Sequence, residues 1–257
     1  EWIRYHTRYE DWEFHMVNLT DALGVINVSG PNARKVVSKL LAADISNEAF
    51  PFAGYMETTI KDVIPVRAMR LGFVGELSYE LHVPSSFMEC VWEMLREAGE
   101  EFKIRNFGVE AQNVLRMEKF HVILGQESEQ RTNLLDLGLG FLWDRKKTES
   151  KTVGAPSLRI AEKEDGRLKL VGIRMDNNIR APRDGSLVVD NRIRGYVATA
   201  RKSFTTDEAV GMALVESRLA EPGTRIEIYE DGCNGKRMKA EVVPTPFYDP
   251  EGKRMKM

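Results

Sequence analysis

Two segments of this chain hold residues that could do chemistry: RLGFVGELSYELHVP, from Arg70 to Pro84, and LRMEKFHVILGQE, from Leu115 to Glu127. The first carries a carboxylate, Glu76, beside a glycine-rich turn. The second carries a guanidinium, Arg116. A carboxylate accepts paired N–H bonds from a planar ring edge, and a guanidinium grips a carboxylate in fork geometry. Together they suit a ligand with an amidine-like ring edge and an anionic tail. Residue type alone favours a solvated hairpin glutamate at Glu76, and it leaves Arg116 divided between an anionic ligand and an interdomain ion pair.

The elements that must position these groups follow from periodicity. Gly72 and Gly75 supply a permissive backbone, and Tyr79, Leu81 and Val83 alternate with Ser78, Glu80 and His82. That pattern predicts two strands joined by a tight turn, with Glu76 starting the second strand on its polar face. Ala111, Val114 and Leu115 predict a helix from about Gly108 to Lys119. Its apolar stripe takes in Glu118, which must then have a cationic or backbone partner.

Upstream, GVINVSG (24–30) reads as a strand running into Pro31 at a first helical turn, and Ala33, Val36, Val37, Leu40 and Leu41 form one helical stripe. Ser86 and Glu89 have capping-box spacing, and Gly99 is a stop signal. These elements predict an α+β domain over residues 1–143, with helices on one face of an antiparallel sheet. Residues 144–166, with RKKTESK and EKEDG flanking VGAPSLRI, read as a polar connection that includes a solvated run at Arg145–Lys147. Over 167–257, LKLVGIRM, SLVVD, IRGYVATA, RIEIY and MKAEVV alternate with turn signals such as DGS, EPGT and DGCNG. That cadence predicts an all-β barrel or sandwich.

Composition narrows the function classes. The chain has 257 residues and is 42% hydrophobic, enough for one large or two ordinary domains. Thirty-seven basic against 39 acidic residues lack the cationic excess that phosphate backbones favour, so nucleic acid is not an expected partner. No apolar run approaches a bilayer span and the first residues have no signal-peptide pattern, which predicts no membrane partner and a cytoplasmic or other reducing location. Cys90 and Cys233 indicate neither a disulfide framework nor a cysteine metal site, and the four histidines lack ligand spacing. Gly138 and Gly140 make a lone G-x-G without the rest of a dinucleotide fingerprint, so no flavin or nicotinamide site is expected.

At these motifs the chain resembles the folate-dependent aminomethyltransferase family, meaning the glycine cleavage T-protein and its relatives in sarcosine and dimethylglycine oxidation. GVINVSGPNARKVVSKL resembles the family's strand and G-P-x-A helix start, and RLGFVGELSYELHVP its R-x-G-x-x-G-E hairpin. LRMEKFHVILGQE, DLGLGFLW and VGAPSL followed by LVGI occur in the family order, while the closing PFYDPEGKRMKM is similar to the C-terminal portion of the sarcosine oxidase alpha subunit. The resemblance implies a partial ferredoxin-like folate-binding layer followed by a β-barrel. It implies a tetrahydrofolate cofactor and transfer of a methylene unit from an amine such as glycine, sarcosine or dimethylglycine, giving 5,10-methylenetetrahydrofolate.

Carried onto this chain, the resemblance makes Glu76 the pterin-edge acceptor and Arg116 a contact to the folate or its carboxylate tail. It gives Phe141 ligand packing or plain core packing, Tyr248 a place at the cavity border or in tail packing, and Glu118 a structural pairing. In the family these segments follow an N-terminal stretch bearing the aspartate assigned to the amine site. No equivalent precedes Glu1, so the catalytic residue is unassigned, and missing residues or a partner chain are expected to cover an exposed sheet edge. A flavoprotein or other subunit is the implied partner. The alternative reading is a non-catalytic folate-binding or structural subunit of an amine-oxidising complex.

Overall fold

The computed structural model describes residues 1–129, 131–146, 152–176, 180–230 and 237–257. After α1 (Trp2–Thr7), which buries none of its residues, β1 (Leu23–Ser29) leads into α2 (Ala33–Val37). Strands β2 (Tyr55–Ile60), β3 (Ile64–Met69) and β4 (Ser78–Pro84) complete a sheet in the order β1-β4-β3-β2. All its pairings are antiparallel, with Ile26 opposite Leu81 and Ala68 opposite Leu81 on the other side.

The pattern read in β4 is the reason the sheet has a core face: Tyr79, Leu81 and Val83 are buried, whereas Glu80 and His82 lie on the wetter face. Against that core face pack α2 and α3 (Met88–Gly99), through Val36, Val37, Leu40, Val91 and Leu95. The whole predicted stripe from Ala33 to Leu41 is buried. Helix α4 (Val109–Glu118) follows, within a residue of its expected bounds.

Two local expectations are corrected. Residues 70–77 form a loop between β3 and β4, so Glu76 sits two residues before the strand it was expected to open. The cause is the turn at Gly75 (φ 83°), which leaves the ladder before pairing resumes at Ser78. The Ser86–Glu89 spacing does not cap α3: Ser85–Phe87 is a separate 3-10 turn, and α3 begins behind Phe87 with no side-chain cap. The neighbouring Ser85 hydroxyl donates to the Asp21 carbonyl at 2.6 Å, which ties this turn to the entrance of β1.

The segment 144–166 carries α5 (Ala155–Ala161), whose Ala155, Leu158 and Ala161 are buried. Beyond it lie β5 (Leu168–Met175), β6 (Leu187–Asp190), β7 (Arg192–Lys202), β8 (Ala209–Glu216), β9 (Arg225–Tyr229) and β10 (Arg237–Val243). They close into a barrel in the order β10-β5-β8-β7-β6-β9, which settles barrel against sandwich. The fold class is therefore α+β followed by a closed β-barrel. The DGCNG turn and Lys147 lie outside the described residues.

Strand β8 has no counterpart among the sequence expectations. Its run AVGMALV is buried at every position, so it lacks the alternation that marks a half-exposed strand. Ala209, Ala213 and Val215 fill the barrel, while Val210, Met212 and Leu214 join Met117 of α4 and Leu137 in a second cluster outside it. That second cluster is the apolar joint between layer and barrel.

Candidate functional site

The polar part of the same joint is built around the loop 70–77. Gly72 is required there because a Cβ would lie 2.7 Å from the carbonyl oxygen of Glu76. Gly75 combines its positive φ with close packing, since a Cβ would sit 3.1 Å from the Lys119 side chain. Arg70, at the start of the loop, is buried and donates from Nη1 to the Phe50 carbonyl at 2.8 Å and from Nη2 to the Met257 carbonyl at 2.6 Å.

These constraints place Glu76 against the C-terminal segment. Its Oε1 accepts a hydrogen bond from the Tyr248 hydroxyl at 2.5 Å. Its Oε2 is buried and has no hydrogen-bond partner among the described residues. Burial, together with the hydrogen bond to the Glu76 carboxylate, pushes the Tyr248 phenol up to about 12, so it stays a donor throughout the neutral range. Buried polar atoms are nearly always paired, so an orphaned carboxylate oxygen marks a place where a donor is missing. Glu76 and Tyr248 are therefore brought together, and Glu76 keeps an open acceptor at Oε2; the buried Glu127 likewise has an unpartnered Oε1 among the described residues.

Arg116 is placed differently. It is 0% exposed and pairs through Nη1 with Glu127 Oε2 at 2.8 Å, while donating to the His121 carbonyl at 3.0 Å and to Gln126 Oε1 at 3.0 Å. The guanidinium is enclosed, with Nη1 and Nη2 turned to protein acceptors and Nε without a hydrogen-bond partner among the described residues. Its Nη1 also lies 3.7 Å from Met212 Sδ, so it meets the barrel wall. Glu127, the partner, stood inside the motif LRMEKFHVILGQE but was not singled out. Spacing along the motif carries no sign that the chain doubles back.

Glu118 is buried and accepts from the Ser203 hydroxyl at 2.6 Å, the Thr205 hydroxyl at 2.6 Å and the Thr205 N–H at 3.2 Å. Its partners are thus hydroxyls and a backbone N–H on the β7–β8 connection, a clamp between layer and barrel. Phe141 is 79% exposed in a short 3-10 turn, and Trp143 two residues later is the buried aromatic of that stretch. Its exposure rules out plain core packing for Phe141.

Three further residues complete the joint without any sequence signal beyond their type. Lys119, buried, donates to Asp249 Oδ2 at 3.0 Å and to the Asp249 carbonyl at 2.5 Å. Burial works to raise the Asp249 carboxyl, but the Lys119 bond and the backbone N–H of Arg254 outweigh it and hold it below the usual range. His121 stacks on Phe73 at 5.9 Å and places Nδ1 2.7 Å from the Phe73 carbonyl. Burial lowers its pKa, reinforced by Lys119 and Arg116 and only partly offset by that carbonyl. The neutral ring then donates from Nδ1.

Elsewhere, an open cavity of about 620 Å³ runs between β1, α2, α3 and the approach to α4, with Trp92, Phe102 and Phe107 on its walls. It presents Arg96, Lys103 and Arg105 and no carboxylate among the described residues.

Comparison with known proteins agrees with this architecture. The family pattern described as GCVT N-terminal domain matches residues 1–147, and that of the glycine cleavage T-protein C-terminal barrel domain matches 169–249. The sarcosine oxidase subunit alpha of Corynebacterium sp. (strain P-1) is 29% identical over 99% of this chain and 27% of its own. The aminomethyltransferase of Geobacillus sp. (strain WCH70) is 31% identical over 96% of this chain and 66% of its own. The mitochondrial dimethylglycine dehydrogenase of Rattus norvegicus is 29% identical over 100% of this chain and 29% of its own. The chain thus spans about a quarter to two thirds of the length of these relatives. In fold it is like the crystal structure of the glycine cleavage system aminomethyltransferase T from Bartonella henselae, with TM-score 0.76 at 22% identity over 89% of this chain and 60% of that one. With both family patterns matched in order across the α+β layer and the barrel, the chain belongs to the glycine cleavage T-protein (GCVT) family.

Proposed function

We propose that this chain is a tetrahydrofolate-dependent one-carbon transfer unit, accepting onto folate a methylene group that arrives already at the iminium oxidation level from an amine of the glycine, sarcosine or dimethylglycine type, oxidised elsewhere by a partner. The observation that carries the reading is Glu76: one oxygen held by Tyr248 and the other buried without a partner among the described residues. An acceptor-only carboxylate with an open, desolvated oxygen fits the N–H-bearing edge of a pterin. Membership of a family whose relatives include aminomethyltransferases supports the same class of chemistry. When bound, tetrahydrofolate supplies the nitrogen that accepts the one-carbon unit, forming 5,10-methylenetetrahydrofolate. The chain's own part is to orient the ring edge through Glu76 and to exclude water at the joint between layer and barrel. Arg116 is left out of the ligand contacts because it is enclosed in its ion pair with Glu127.

Saturating tetrahydrofolate should raise the melting temperature, since a ligand at about 100 times its Kd stabilises the native state by ~2.7 kcal/mol. Glu76→Gln should weaken binding by about tenfold or more while leaving the unliganded melting temperature close to wild type, because the amide keeps the shape and turns one acceptor into a donor. An unchanged Kd in this variant would remove Glu76 from the site.

A second reading is favoured by the relatives named sarcosine oxidase subunit alpha: a folate-binding or structural part of an amine-oxidising assembly with a flavoprotein partner. The exposed Trp2, Tyr5, Tyr9 and Trp12 give such a partner an apolar surface to cover. Methylene transfer assayed with an amine donor oxidised in situ to its iminium by an added amine-oxidising flavoprotein separates the two. Turnover supports the transferase, and folate binding without turnover supports the binding part.

A further inference from the structure

After the last barrel strand the chain does not stay with the barrel. Phe247 packs edge-on against Phe120 at 6.2 Å and belongs to the cluster between layer and barrel. The Tyr248 N–H then donates to the Glu118 carbonyl at 3.0 Å, and Asp249 receives Lys119. Asp249 takes a left-handed φ of 45° and accepts from the Lys253 and Arg254 N–H groups at 3.0 and 3.1 Å, which turns the chain back. Met255 comes to lie over Gly72, and the Met257 carbonyl is held by Arg70 at 2.6 Å and Arg34 at 2.5 Å.

Three residues of the Glu76 loop therefore meet this one segment: Arg70 and Glu76 hydrogen-bond Met257 and Tyr248, and Met255 fills the space that a side chain at Gly72 would need. The Lys119–Asp249 pair that fastens it is nearly withdrawn from solvent, so it is screened far less than a surface ion pair. A segment built this way sets the shape of the loop it covers.

Resting on the reading of Glu76 as the ring-edge acceptor, we propose that residues 247–257 are a strap and that its Tyr248 is the specificity-determining partner of that carboxylate. By donating to Oε1, the phenol fixes the plane of the carboxylate and turns Oε2 to the ligand. With the carboxylate plane fixed, Oε2 and the remaining lone pair of Oε1 face one direction, so Glu76 matches a rigid edge that donates two neighbouring N–H groups and gains little from an edge that donates one. Without the phenol the carboxylate turns about its last bond, and this discrimination is lost. The high pKa of Tyr248 is consistent with a permanent donor.

The experiment measures Kd on the full chain for tetrahydrofolate and for its 2-desamino analogue, which lacks one of the two donors. The wild type should prefer tetrahydrofolate by about tenfold or more, the size of one well-placed hydrogen bond to a charged group. Tyr248→Phe keeps the ring packing and should lose most of that preference, weakening tetrahydrofolate about tenfold and the analogue little. Asp249→Asn loosens the strap without touching Glu76 and should shift the preference in the same direction, which keeps the test open should Tyr248→Phe fold poorly. Equal losses for the two ligands, or an unchanged preference in either folded variant, would overturn the strap while Glu76→Gln still weakened tetrahydrofolate. If the wild type binds neither ligand, or Glu76→Gln binds as tightly as wild type, the ring-edge reading itself falls and the strap proposal with it.

Discussion

Glu76 and Arg116 show how far a residue type can be read without coordinates. Glu76 keeps an open acceptor because its loop is fitted tightly by Gly72 and Gly75 around a single outside donor, Tyr248. Arg116 is fully buried and its terminal nitrogens are engaged because the chain reverses through Phe120 (φ 62°) and Gly125 (φ 90°) and delivers Glu127 to it. Both residues are ionisable and both lie in recognisable motifs, and only the folding of the intervening backbone separates a ligand group from a structural one. Arg116→Ala should therefore act on stability, costing about 3–5 kcal/mol by leaving Glu127 as an uncompensated buried charge. Urea denaturation checks this: a midpoint equal to wild type would mean the pair contributes nothing, whereas the double replacement Arg116→Met with Glu127→Leu should recover much of the loss.

At the scale of elements, legibility followed periodicity. The stripe of α2, the bounds of α4 and the alternation of β4 are written within a few residues, because a half-buried element must repeat its apolar positions at its own geometric period. Strand β8 escapes local reading because both its faces are buried, and the second strand of the hairpin begins at Ser78 rather than Glu76 because the turn through Gly72 and Gly75 extends further than the alternation of Tyr79, Leu81 and Val83 indicates. The loop 70–77 is held to the end of α4 by His121, whose ring nitrogen meets the Phe73 carbonyl. The unfolded chain takes up a proton on this histidine near 6.5, and the folded chain only at lower pH, so the contribution is intact above that value and is lost as pH falls below it. The melting temperature should decline between pH 7.5 and 5.5, and His121→Gln should flatten that part of the profile. An identical slope in the variant would show that His121 does not report this transition.

For the whole molecule, layer and barrel share side chains. Met212 and Leu214 point out of the barrel into the cluster that contains Met117, and Glu118 is bound by Ser203 and Thr205 across the same joint. Met212→Ala should cost about 2–5 kcal/mol, since the cavity opens between two rigid units that cannot both collapse onto it. Calorimetry should show the loss in one cooperative transition, and a barrel that melts at its wild-type temperature in this variant would show that the two units are energetically separate.

The division between what sequence determined and what tertiary structure decided follows from range. Burial periodicity, turn glycines and the succession of an α+β layer and a barrel depend on sterics and apolar spacing over a few residues, so they could be read along the chain, as could the family motifs. The choice of partner for each charge depends on contacts between distant segments: Tyr248 reaches Glu76 across 172 positions, and Ser203 reaches Glu118 across 85. A hydrogen bond or ion pair forms only where two groups arrive within about 3 Å. No local pattern records that arrival, so only the folded chain could distinguish an open carboxylate at Glu76 from an enclosed guanidinium at Arg116.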